Sequence, residues 1–144
     1  MKREFFWAGV PRGQGRPRFT RTGKAYKASE DRAYEKGLCL AYLNEYGAEK
    51  PMEGPLTLEV RAVYPIPKAT PKKDIGPMLA GEIVPTVKPD IDNVVKAVLD
   101  ALNGVAFPDD KAIVWMKGCK VYGHVPGVRV NIHKFQSNEE GEEL

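Results

Sequence analysis

At 144 residues, 42% hydrophobic and 28% charged, the chain has the size and composition of one globular domain with a single core, which excludes a disordered chain. No apolar run nears the roughly 20 residues that span a bilayer. Residues 1–7 start with positive charge but lack a signal-peptide core, so the expected location is cytoplasmic, with no membrane partner. The net charge of +3 hides an asymmetry: residues 139–144 carry four acids and no base, while residues 1–36 hold ten Lys or Arg against four acids, which favours a polyanionic partner.

In chain order, residues 3–10 predict a short aromatic-rich strand stopped by Pro11. Residues 11–25 read as a Gly/Pro/Arg loop, and residues 26–46 as a helix ended at Gly47. Residues 55–64 alternate with period two, placing Leu56, Leu58, Val60 and Ala62 on one buried face of a strand. Residues 65–89 hold six of the twelve prolines and predict a long loop with one helical turn near residues 77–80; loops of that length are functional or mobile. Residues 92–103 form the clearest helix, closed by Asn103 and Gly104. Residues 112–121 and 126–134 predict two strands joined as a hairpin. The fold class expected is α+β: a single domain with a mixed β-sheet and helices packed mainly on one face, in the order β-α-β-(long loop)-α-β-β.

The chemistry concentrates in residues 88–110. Pro89 ends the loop and biases Lys88 away from helix. Asp90 and Asp92, two apart in extended chain, project the same way, and either is placed to cap the following helix. Val95, Val98, Leu99 and Leu102 define that helix's buried face, beside a polar stripe of Asp92, Asn93, Lys96, Asp100 and Asn103. Lys96 lies one turn beyond Asp92, so its ammonium reaches the space before the two aspartates. After Gly104 the chain reverses, and packing of the next strand beside the helix is expected to return Asp109 and Asp110 to the helix start. Convergent carboxylates repel one another unless a cation is present. Mg²⁺ favours such oxygens while keeping several waters, and it serves phosphodiester hydrolysis. Each residue also has a plain structural reading: an N-cap, a first-turn acid at the helix dipole, an i,i+4 chain from Asp92 through Lys96 to Asp100, and turn acids after Pro108.

Taken together, Lys88, Pro89, Asp90, Ile91, Asp92 and Asn93, then Lys96, then Leu99, Asp100, Ala101, Leu102, Asn103 and Gly104, then Asp109 and Asp110, resemble the signature of RusA-type Holliday-junction resolvases, the endodeoxyribonuclease RusA family. Residues 64–68 and 80–82 resemble its phage and prophage branch. The resemblance implies a homodimeric, Mg²⁺-dependent endonuclease, with Mn²⁺ as a substitute ion, that makes paired nicks in four-way DNA junctions during recombination and repair. It implies metal-binding and catalytic roles for Asp90, Asp92 and Asp110, a catalytic role for Lys96, and supporting roles for Asp100, Asp109 and Asn93, with Asp100 the partner of Lys96. The implied domain spans residues 1–135, with residues 66–87 an inserted Pro/Lys-rich loop and residues 136–144 an acidic, disordered tail.

Between Glu4 and Glu30 there is no acid, while Arg12, Arg16, Arg18, Arg21, Lys24 and Lys27 alternate with Phe19 and Tyr26. Guanidinium and ammonium groups hold phosphates, and exposed rings stack on unpaired bases. Lys72, Lys73 and Lys88 extend this expected DNA contact, with Lys68 beside them. Gly13 and Gly15 are not a nucleotide loop, because no Gly-Lys-Ser/Thr follows. Trp7 and Trp115 are core or dimer contacts by their strand positions. Cys39 and Cys119 are far apart and form no zinc spacing with His124 and His133, so reduced thiols are expected. The alternatives are a branched-DNA-binding protein without catalysis and a metal-dependent hydrolase of small nucleotides, the latter leaving the basic loop unexplained.

Overall fold

The computed structural model describes residues 1–15 and 18–137. Arg16 and most of the acidic tail, including residues 138–144, lie outside the described residues.

The first strand, β1 (Lys2–Ala8), turns Arg3 and Phe5 inward. A small hairpin follows, β2 (Arg18–Phe19) against β3 (Ala25–Tyr26), built from the basic loop. Helix α1 (Ser29–Tyr46) buries Tyr34, Leu38 and Tyr42, one residue per turn along a single stripe. It starts three residues later than the sequence pattern predicts, because Tyr26 is taken into β3. Strand β4 (Leu56–Pro65) is the spine of the sheet, with Leu58, Val60, Ala62 and Tyr64 facing the helices. The proline-rich stretch after it contains more structure than one turn: α2 (Lys72–Leu79) occupies its middle and packs on β5. Proline at position 77 removes one donor inside that helix, which explains why periodicity alone shows so little of it.

Helix α3 (Ile91–Leu102) buries Val94, Val95, Ala97, Val98, Ala101 and Leu102. Gly104 takes φ +79°, the left-handed conformation that lets the chain reverse, and Phe107 then plugs the core at 0% exposure. A single 3-10 turn (Asp110–Ala112) leads into β5 (Ile113–Gly123), and β6 (Gly127–Lys134) ends the sheet.

The sheet order is β1-β6-β4-β5, with β4 and β5 parallel and the other pairs antiparallel. The architecture is therefore α+β with a mixed sheet, as expected. One pairing differs from expectation. Strands β5 and β6 do not form a hairpin; they flank β4 on opposite sides. Two strand spacings are about 9.6 Å, and the four Cα steps from Gly123 to Gly127 reach about 14 Å, so the short link can cross the end of β4. Pro65 ends β4 opposite Gly123.

The two sheet faces differ in character. Phe5, Val128, Val130 and Ile132 join the β4 residues and the helices in one core, whereas Glu59, Arg61, Lys117, Arg129 and Asn131 line the open face. Trp7 packs edge-on against Tyr34, ring centroids 4.9 Å apart, and Trp115 lies against Phe135 at 6.5 Å.

Arg3 is a charge inside this core. Its guanidinium, with the residue 5% exposed, donates to Tyr42 Oη at 2.6 Å and to the Lys50 carbonyl at 2.8 Å, and lies over the Tyr46 ring. Arg3→Ala strands both acceptors, and the expected loss is about 2–4 kcal/mol. Urea unfolding measures it; a change below about 0.5 kcal/mol, the scale of an ordinary surface substitution, contradicts the structural role.

Candidate nuclease site

Asp90 occupies the N-cap of α3 with extended backbone (φ −65°, ψ 151°), and its carbonyl accepts from Val94 N at 3.1 Å. Its carboxylate makes no capping hydrogen bond. The plain reading of Asp90 as a helix cap therefore does not account for its side chain. Asp92 lies in the first turn of the same helix, and Asp90, Asp92, Asn93 and Lys96 are all exposed. Lys96 Nζ bonds Asp100 Oδ1 at 3.1 Å, the pairing anticipated from the i,i+4 spacing.

The floor of this helix end comes from distant chain. Tyr64 at the end of β4 donates its hydroxyl to the Pro89 carbonyl at 2.9 Å. Lys120 of β5 donates to the Val87 carbonyl at 2.6 Å and lies 5.3 Å from the centre of the Tyr64 ring. Sequence reasoning missed both residues: alternation in β4 predicts that Tyr64 faces inward, but not what it meets. Burial first, then Tyr34 and the charge of Asp90, push the Tyr64 phenol up to about 12 from its ordinary 10.0. The neutral phenol is thus favoured in the fold. Its contribution to stability is complete below about pH 10 and is lost as pH rises through about 12. Phenolate absorbance, compared with Tyr64→Phe, is expected to show this tyrosine ionising near 12. Asp90→Asn is expected to lower that midpoint, and an unchanged midpoint removes the proposed proximity.

The basic loop is rooted at the same place. Gln14 N donates to the Asn93 carbonyl at 3.1 Å. Gly13 lies so close to α3 that a Cβ there would stand 2.9 Å from Asn93 Cβ and 3.0 Å from Pro89 Cβ; a Cβ on Gly15 would meet Asp31 Oδ2 at 2.1 Å. Close approach to the helix requires glycine at position 13, whereas at position 15 the Asp31 carboxylate would have to move aside. Arg12 pairs with Asp31 at 3.1 Å and stays exposed. Arg18, Arg21 and Lys24 project from the hairpin into solvent, as does Phe19 at 66% exposure.

Lys27 is placed differently. Its ammonium bonds Glu35 and lies 3.6 Å from Asp100. Burial lowers its pKa, but the hydrogen bond and charge of Glu35 and the charge of Asp100 outweigh that and raise it. This lysine ties α1 to α3, leaving its neighbours in the hairpin as the open cations. Lys72, Lys73 and Lys88 are exposed.

The second acidic pair stands elsewhere. Asp110 N donates to Asn103 Oδ1 at 3.0 Å, at the C-terminal end of α3. Asp109 caps the 3-10 turn by accepting from Lys111 N at 3.0 Å. That backbone hydrogen bond, followed by a side-chain interaction with Asp110, holds the Asp109 carboxyl below the ordinary carboxylate range. Twelve helical residues separate the two acidic ends, about 18 Å along the axis. Among the described residues no three His, Cys, Asp or Glu side chains gather closely enough to hold a metal ion. The turn after Gly104 does not carry Asp109 and Asp110 back to the helix start, because β5 runs antiparallel to α3 and begins at the helix's far end. Asp90 and Asp92 by themselves suit Mg²⁺, which is commonly held by one or two carboxylates completed by water and phosphate. Asp110 of the same chain does not fit that site.

The model of the family described as Endodeoxyribonuclease RusA matches residues 8–133. The chain belongs to the RusA family. The match takes in the basic loop, both acidic groups and every strand except β1, of which it reaches only Ala8, and it stops one residue before the end of β6. The chain is also similar to the uncharacterized protein YqaN of Bacillus subtilis (strain 168), 35% identical over 133 residues that cover 90% of this chain and 94% of the relative. Among the described residues of this RusA-family chain, no helix is long and apolar enough to cross a membrane.

Proposed function

We propose that this RusA-family chain is a metal-dependent endodeoxyribonuclease that resolves four-way DNA junctions by paired nicks, acting as a homodimer on branched DNA. The observation that carries the reading is the docking of the basic loop on the start of α3. Through Gly13 and Gln14, the element suited to grip phosphates is joined to exposed carboxylates that no cap consumes.

In this reading Arg12, Arg18, Arg21 and Lys24 hold the backbone of the arms without reading bases, and Phe19 supplies a stacking surface for unpaired bases at the branch point. Asp90 and Asp92 hold Mg²⁺, or Mn²⁺ in its place. The ion supplies activation of water and stabilisation of charge on the scissile phosphate. Lys96, oriented by Asp100, places a positive charge beside that phosphate. A four-way junction has two-fold symmetry, which an isologous dimer matches with one site per strand.

A labelled synthetic junction, incubated with and without Mg²⁺ beside a matched linear duplex, tests the reading. Symmetric nicks are expected in the junction with Mg²⁺, none with chelator, and none in the duplex. The separation of Asp110 from Asp90 in one chain favours a second reading, a branched-DNA binder without catalysis. That reading predicts salt-sensitive binding and intact strands under every divalent ion.

A further inference from the structure

Asp100 is shared between two lysines. Its Oδ1 lies 3.1 Å from Lys96 Nζ, and its Oδ2 lies 3.6 Å from Lys27 Nζ. Lys27 in turn bonds Glu35 of α1 at 2.5 Å. Four groups of alternating charge, Glu35, Lys27, Asp100 and Lys96, therefore run in a chain from α1 to the open side of α3. Lys96 is the outermost member, its side chain 55% exposed against 22% for Asp100.

Lys96 stands midway between two acids of its own helix, Asp92 one turn before it and Asp100 one turn after. Helical side chains lean toward the N-terminus, so an acid four residues before a lysine is a better partner than one four residues after. Among the described residues Lys96 nevertheless pairs with Asp100 and not with Asp92. That pairing holds the ammonium a turn away from the helix end where Asp90 and Asp92 stand. A charge needed at a phosphate beside them has to be released from it. How firmly Asp100 holds Lys96 depends on Lys27, because a carboxylate whose charge is partly offset by a second cation attracts the first less strongly.

We propose that Lys27 is a positioning residue for the cutting reaction: by sharing the Asp100 carboxylate it weakens the hold of Asp100 on Lys96, so that the Lys96 ammonium can move to the phosphate. The inference rests on the nuclease reading and deepens it, adding a residue that touches neither DNA nor metal. Lys27 follows β3 directly, at the root of the basic hairpin. Its ammonium is already taken up by Glu35 and Asp100, which makes it a poor phosphate contact beside Arg18, Arg21 and Lys24.

Substitutions on either side of Lys27 test this. The first readout needs no DNA cleavage: hydrogen exchange of the Lys96 ammonium, followed by nuclear magnetic resonance and assigned with Lys96→Arg. Lys27→Met leaves Asp100 to Lys96 alone, and exchange is expected to slow by about threefold. Glu35→Gln hands Lys27 to Asp100, and exchange is expected to quicken. A bridge that only ties α1 to α3 is broken by both substitutions alike; changes of one sign, or none, overturn the proposal. Should Lys27→Met not fold, Lys27→Gln, which keeps donors for Glu35, gives the same comparison. With a labelled four-way junction and Mg²⁺, Lys27→Met is expected to lower single-turnover nicking by about tenfold, while junction affinity and its salt dependence stay as in wild type. In an Asp100→Asn background the same substitution is expected to lower nicking no further. Nicking by Lys27→Met at the wild-type rate, or a full additional loss in the Asp100→Asn background, overturns the proposal and leaves the nuclease reading standing. So does weakened, less salt-sensitive binding, which identifies Lys27 as a phosphate contact. If wild type does not nick, the nuclease reading fails, and the signs of the two exchange changes still decide what Lys27 does to Lys96.

Discussion

Asp90→Asn is expected to lower junction nicking by about a thousandfold or more while leaving junction binding intact. The substitution keeps the shape of the side chain and removes one negative charge. Its effect on folding is small for two reasons: the Asp90 carboxylate makes no cap hydrogen bond, and asparagine is as good an N-cap as aspartate. The catalytic effect is large because a neutral amide oxygen is a poor ligand for Mg²⁺. Loss of metal-borne charge at a developing phosphate transition state costs on the scale of the strongest electrostatic contributions, about 10²–10³ per group or more. Binding is expected to survive because the side chains of Arg18, Arg21 and Lys24 project into solvent and are left unchanged by the substitution. Single-turnover cleavage and gel-shift assays of the same preparation give both quantities. Undiminished cleavage by this variant sinks the metal mechanism.

Phe107→Ala is expected to destabilise the fold by about 3–5 kcal/mol. The ring is fully buried, and its carbonyl accepts from Gly104 N at 2.9 Å, closing the reversal after α3. Truncation leaves a cavity under the helix and loosens the turn that holds Asp110 against Asn103. For a chain of this size the melting temperature falls by about 10–15 °C. Phe107→Leu, which keeps most of the volume, is expected to cost less than about 1.5 kcal/mol. Calorimetry of the pair separates packing from mere substitution, and equal losses for both variants contradict the cavity argument.

The two experiments address parts of the molecule that were unequally legible. Helix α3 could be read almost residue by residue, since its apolar stripe, its Gly104 reversal and the Lys96–Asp100 pair all depend on neighbours within four positions. Strand β4 was legible for the same reason, through period-two alternation. The basic character of residues 11–27 was visible, but the fate of Lys27 was not. Whether an ammonium faces solvent or bridges Glu35 and Asp100 is settled by how α1 packs on α3.

What the amino-acid sequence determined by itself was therefore local: the periodic elements, the glycine turn, the chemical types brought to residues 88–110 and the family they signify. Tertiary structure alone decided which strand lies beside which, so that β6 enters between β1 and β4 and not beside β5. It also decided that Asp110 stands at the far end of α3 from Asp90. Both are long-range outcomes, governed by the direction of β5 relative to the helix before it. Spacing along a chain constrains side chains only over the few residues that share a turn or a pleat.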